Sequence, residues 1–218
     1  MDRELILEKT QNYVKETLKG DSSGHDWWHI YRVVQNALAI CKYEQDADEF
    51  IVRLAALLHD IADYKFHGGD TTIGSQTAEK WLRSLSVSDE IIAHVSLILS
   101  EISFKGAGVR TRMTNKEGMI VQDADRLDAI GAIGIARAFA YGGFFGREIY
   151  NPTIQPQLHS TFEEYLNNKG TTINHFYEKL LLLNDLMNTD TAYQMALKRH
   201  AFMEEFLKEF MIEWEGKG

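Results

Sequence analysis

Apolar residues recur along most of this chain at the three- and four-residue spacing that puts them on one face of an α-helix, and no strand-like alternation competes with it. Ile30, Val33, Val34, Ala37, Leu38 and Cys41 keep this spacing, with Asp21, Ser22 and Ser23 as nearby start signals. From Phe50 to Ala62 the chain is apolar on nearly every side, broken by Arg53 and then by His59 and Asp60. That is the pattern of a helix buried in the centre of a domain. Ser88, Asp89 and Glu90 open a further helix carrying Ile91, Ile92, Val95, Ile98, Leu99 and Ile102. Thr114 and Glu117 form a capping-box pattern before a long helix that holds Asp123, Asp125 and Asp128 and ends at Gly142 and Gly143. Thr161 and Glu164 repeat the box, and two long amphipathic stretches follow, near 173–187 and 191–214, whose Met, Leu and aromatic residues read as core. Phe104 to Met113, with Gly106 and Gly108 among Lys105, Arg110 and Arg112, reads as a basic, mobile loop, and Asn151 to Pro156 as a turn-rich connection. The expectation is an all-α chain, one helical bundle over residues 1–218.

Composition narrows what such a bundle does. Only two prolines, Pro152 and Pro156, interrupt the helical pattern. With 44% hydrophobic and 25% charged residues, the 218-residue chain can bury a core of its own. Its 23 basic and 32 acidic residues leave a formal net charge of -9, which disfavours a broad contact with nucleic acid. A small anionic ligand then needs a local positive site or a bound cation. The charged start, Met1 to Leu5, has no apolar run after it, and no stretch is apolar enough to span a bilayer, so neither secretion nor a membrane is expected. Cys41 is the one cysteine, which rules out an internal disulfide and a thiolate metal cluster. A reducing cytoplasm is the expected home.

Four potential ligands stand on separate helical segments: His29, the adjacent His59 and Asp60, and Asp125. Taken singly, each is more simply a hydrogen-bonded core histidine, a cap or a solvated acid. The adjacent pair resists that reading, because an ionised Asp in a helix that is apolar all round needs a cation or several donors. Neighbouring residues stand about 100° apart on a helix, yet at its end both side chains can lean toward one point. The negative end of the helix dipole favours a cation there.

The segments Gly24-His25-Asp26-Trp27-Trp28-His29-Ile30-Tyr31-Arg32-Val33, Leu57-Leu58-His59-Asp60-Ile61-Ala62-Asp63 and Asp123-Ala124-Asp125-Arg126-Leu127-Asp128 resemble, in that order, the motifs of the HD-domain superfamily. The resemblance spans about 25–128, with C-terminal helices over about 160–215, and implies a helical bundle of the HD-domain type. It implies His29, His59, Asp60 and Asp125 as ligands of one divalent cation, manganese, iron, nickel, cobalt or magnesium. Such a set leaves about two octahedral positions for water and a phosphate oxygen. Asp63 is implied as the group that positions or deprotonates the water, against a helix-end salt bridge as the plain alternative. Asp128 would hold a neighbouring contact or the attacking water, or lie on the helix surface. Asp123, about 200° round the helix from Asp125, is expected to tolerate replacement. His25 either faces the site or caps the helix. His94 is the candidate for a second metal, but lacks a companion histidine. Arg32, Lys65, Arg126 and Lys179 are the candidate phosphate contacts.

Three activities fit the resemblance. One is hydrolysis of (deoxy)nucleoside triphosphates to monophosphate and pyrophosphate, with the 105–112 loop as a lid. Another is removal of phosphate from a nucleoside monophosphate or small phosphoester. The last is a non-catalytic, metal-stabilised regulatory domain, which the intact ligand set and Asp63 disfavour. A small phosphorylated substrate, foremost a nucleotide, is the expected partner. A homodimer is left open.

Overall fold

The computed structural model describes residues 2–21, 24–62, 72–109, 111 and 113–218. Among these the regular structure is entirely helical, with no strand, and the fold is all-α. The helices are α1 (Arg3–Thr17), α2 (Trp27–Cys41), α3 (Glu49–Leu58), α4 (Ile73–Ser84), α5 (Asp89–Glu101), α6 (Lys116–Asp128), α7 (Gly131–Phe144), α8 (Phe162–Leu166), α9 (Thr172–Glu178) and α10 (Asp190–Trp214), with 3-10 turns at Leu180–Leu182 and Asn184–Leu186. By its internal contacts the chain divides into two compact units. The first holds Met1–Asp21, His25–Phe104 and Thr111–Asp125; the second holds Ser22–Gly24, Lys105–Arg110 and Arg126–Gly218. No helix among the described residues is long and apolar enough to cross a membrane.

In the first unit α3 is central, packing against α1, α2 and α5, while α4 packs on α5. Every residue from Phe50 to Leu58 is buried except Arg53, whose guanidinium reaches out to Glu4 Oε1 at 3.0 Å. A helix apolar on all sides gains from burial only when it is surrounded, so its place in the fold follows from its composition. Asp48 starts it, accepting from the Phe50 amide at 2.9 Å. It stops at Leu58, before the apolar run ends. There His59 Nδ1 donates to the Ala56 carbonyl at 2.9 Å, one of the oxygens a helix end leaves without an intrahelical partner.

Several expected boundaries move, each for a local reason. The cap of α2 is Asp26, which accepts from the His29 amide at 2.9 Å, and not the earlier Asp21; Ser22 and Ser23 lie outside the described residues. The box of Thr114 and Glu117 does not form. Asn115 Oδ1 reaches the Gly118 amide at 2.7 Å, which frees Glu117 to accept from the Asp48 amide at 2.9 Å. Ser88 starts α5 with extended backbone but without a side-chain cap bond. Thr161 does accept from the Glu164 amide at 3.2 Å, though it opens only the short α8.

The second unit corrects two longer expectations. The helix of the three aspartates ends at Asp128, and Gly131, at φ +73, begins α7 where a Cβ would lie 2.9 Å from Arg199 Cβ. Gly142 sits inside α7 because a Cβ there would come within 2.2 Å of Thr172 Oγ1. The stretch near 173–187 breaks after α9. Four successive leucines, Leu180 to Leu183, cannot share one helical face, and the 3-10 turns bury Leu180 and Leu183 instead. Then α10 runs unbroken and packs on α7, burying Ala192, Ala196, Met203 and Leu207. Its Phe202 and Trp214 are about half exposed, so the C-terminal aromatics are not all core.

Leu54, fully buried on α3, should cost about 2–5 kcal/mol on truncation to alanine. Leu97→Ala, on an exposed position of α5, should change stability by no more than about 0.5 kcal/mol. Urea unfolding of the two variants checks both.

Candidate metal centre

Three segments of the first unit supply the candidate donors. His29 comes from the first turn of α2, His59 and Asp60 from the end of α3, and Asp125 from the last turn of α6. Each segment is held in place by polar contacts. Asp26 fixes the start of α2 through the His29 amide. The start of α6 is tied down by Glu117 on the Asp48 amide and by Lys116 Nζ on the Gln45 carbonyl at 2.8 Å. Further along α6, Gln122 Nε2 donates to the Ile102 carbonyl at 3.1 Å, and Asn36 Nδ2 of α2 donates to the Ala124 carbonyl at 3.2 Å, one residue from Asp125.

The donor atoms converge. His29 Nε2 lies 3.1 Å from His59 Nε2, 3.3 Å from Asp60 Oδ2 and 3.5 Å from Asp125 Oδ1. His59 Nε2 is 3.7 Å from each of the same two carboxylate oxygens. Ligands held at about 2.0–2.2 Å and 90–109° from one cation stand about 2.8–3.6 Å apart; the distances from His29 fall in that range, and the two from His59 lie just beyond it at 3.7 Å. The ring orientation suits a single cation as well: a carbonyl only accepts, so His59 Nδ1 carries a proton toward Ala56, and Nε2 is the ring atom that faces the other candidate donors. Both imidazoles are almost wholly buried, while the side chains of Asp60 and Asp125 are 17% and 34% exposed. The histidines close the inner side and the carboxylates border solvent.

Burial, the largest single influence on Asp60, pushes its pKa up. The charges of His59 and His25, with hydrogen bonds from His25 and His29, outweigh burial and hold this carboxyl well below the usual carboxylate range.

Known proteins share the sequence and the fold. A model of the HD domain matches residues 27–130. YpgQ of Bacillus subtilis is 38% identical over 205 residues, 93% of this chain and 90% of its own. An HD-superfamily hydrolase from Bacillus thuringiensis is 43% identical, with a TM-score of 0.73 over 99% of this chain and 100% of that one. The chain belongs to the HD-domain superfamily of metal-dependent phosphohydrolases. A Lactobacillus plantarum protein of known structure is 40% identical, with a TM-score of 0.89 over the full length of both chains. YpgQ has been crystallised in complex with ADP, and that structure matches at a TM-score of 0.73, 36% identity, 95% of this chain and 97% of its own.

The other candidate residues of this HD domain fall in different places. His25 Nδ1 is 2.7 Å from Asp60 Oδ2, so the residue does not serve as the helix cap. Asp63 and Lys65 lie outside the described residues, as do Arg110 and Arg112 of the basic loop. In that loop the Gly108 amide donates to the His159 carbonyl at 2.9 Å. Asp128 is buried, with its carboxylate 3.4 Å from Arg137 Nη1. Arg126 is buried too and donates to the Leu186 carbonyl. Lys179 Nζ stands 6.0 Å from the centre of the Tyr165 ring. Arg32 is half-buried on α2. His94 faces Glu117 at 3.3 Å and stands in neither of the donor groupings found among the described residues. Asp123 is fully buried, so it does not lie on a tolerant outer face. Arg137, the partner of Asp128, is the sole charged residue of the apolar α7 segment Gly131–Phe144, a signal legible in the sequence.

Asp125→Ala should lose metal while keeping its fold. Asp123→Ala should keep metal and lose stability, because it strips a buried polar group from its partners. Metal content and thermal unfolding of the pair distinguish these outcomes.

Proposed function

We propose that this HD domain hydrolyses (deoxy)nucleoside triphosphates to monophosphate and pyrophosphate, with one divalent cation held by His29, His59, Asp60 and Asp125. The observation that carries the reading is that the Nε2 atoms of His29 and His59 lie 3.1 Å apart and each stands 3.3–3.7 Å from one carboxylate oxygen of Asp60 and one of Asp125. A nucleotide is the substrate class supported by the binding of ADP to YpgQ. The donor set, two nitrogens and two oxygens without a thiolate, favours manganese, iron(II), cobalt, nickel or magnesium. Such a cation lowers the pKa of water and offsets charge that develops on phosphorus.

The protein's part is to hold donors and handle the proton and the phosphate. Asp60 and Asp125 set two negative charges beside the cation, and the exposure of Asp125 makes its side the natural approach for substrate. Asp63 is assigned the positioning or deprotonation of the attacking water. Asp128, buried against Arg137, suits a holding role better than contact with that water. Arg32 and Lys65 are assigned to phosphate. A similar role for Arg126 or Lys179 would require leaving the Leu186 carbonyl or the Tyr165 ring.

With manganese present, nucleoside triphosphates should yield monophosphate and pyrophosphate in equal amounts, and chelation should abolish turnover. Orthophosphate released from monophosphates alone would replace this reading with a nucleotidase. Full activity in metal-free protein would overturn the cation's role.

A further inference from the structure

Beside the four proposed ligands stands His25, one turn before His29 and at an edge of the site. Its Nδ1 lies 2.7 Å from Asp60 Oδ2, and the two side chains are only 16% and 17% exposed. Nitrogen and oxygen atoms of His25, His29 and Asp60 also lie within 4.8 Å of one another, a second grouping that could hold an ion. A charge-assisted N–H···O bond measures about 2.7–2.9 Å, and the 2.7 Å between His25 Nδ1 and Asp60 Oδ2 falls in that range.

We propose that His25 is a positioning residue: its Nδ1–H donates to Asp60 Oδ2 and fixes the direction in which that oxygen meets the cation. A carboxylate oxygen has two lone pairs. One is taken by His25, and the other is left toward His29 Nε2 at 3.3 Å and His59 Nε2 at 3.7 Å. Asp60 needs such a partner because it follows the C-cap residue of α3, where no regular helix holds it. The backbone around His25 is suited to the task. Asp26 caps α2 on the His29 amide. Gly24, at φ +92, turns the chain just before His25, and its carbonyl accepts from Arg137 Nε at 2.9 Å. His25 and His29 meet edge to face with ring centres 5.8 Å apart.

This inference rests on the metal site proposed above, and its test separates the failure of one from the failure of the other. Manganese(II) alone is titrated into metal-free wild type, His25→Leu, His25→Asn and His25→Gln, with unfolding followed in parallel. The Asn amide nitrogen falls where Nδ1 stood, while the Gln amide reaches toward the place of Nε2. His25→Leu should bind manganese about 10–100-fold more weakly, as loss of a ligand's outer partner does. His25→Asn should recover most of the affinity, and His25→Gln should not. If His25→Leu does not fold, a tight Asn variant beside a weak Gln variant still supports the role, and equal affinities overturn it. Equal manganese affinity in all four proteins, with only the nucleotide KM raised, would make His25 a substrate contact. Loss in Asn as deep as in Leu would make it a ligand. Either result overturns the positioning role and leaves the metal site standing. Failure of the wild type to bind manganese removes the site itself.

Discussion

The carboxylate of Asp60 lies at the end of a helix buried on almost every side, and the rest of the site answers to that constraint. Moving a charge out of water is costly unless opposite charge and donors replace the lost hydration. Here three histidines surround the carboxylate, at 2.7, 3.3 and 3.7 Å, and the charges of His59 and His25 with hydrogen bonds from His25 and His29 hold it ionised in spite of burial. Arg53, the other interruption in the apolar segment, escapes the same cost by reaching out to Glu4. Asp60 cannot do so, and its neighbours turn inward to meet it.

Placing those neighbours is the work of the first unit. The apolar α3 draws α1, α2 and α5 around itself, which brings the first turn of α2 beside its end. The fourth donor depends on α6, whose packing is polar: Glu117, Lys116 and Gln122 bond to backbone groups near Asp48, Gln45 and Ile102. These contacts fix the rotation of α6 and therefore present Asp125, while Asp123 points into the interior.

Much of this was legible in the sequence, because the strongest signals were periodic or chemically improbable. A run as apolar as Phe50 to Leu58 has to be central, and His59 with Asp60 at its end has to be explained. What failed was local competition. Thr114 and Asn115 both make good caps, and the choice depends on Glu117 being wanted by the Asp48 amide, a partner distant in sequence. Gly142 looks like a helix stop, yet it is there for the close approach of Thr172. The leucines from Leu180 to Leu183 keep helical composition but not a helical face. His25 was readable as a cap or a site residue, and only the distance to Asp60 separates the two.

The central claim is that two imidazole nitrogens and two carboxylates bind one cation, and X-ray absorption at the metal edge of manganese-loaded protein tests it most directly. The account predicts one manganese per chain, with two imidazoles recognisable by their ring scattering and oxygen filling the remaining positions at about 2.0–2.2 Å. That imidazole signature should vanish in the His29→Ala, His59→Ala double variant. An all-oxygen shell in the wild type, or a spectrum unchanged by the double substitution, would contradict the account.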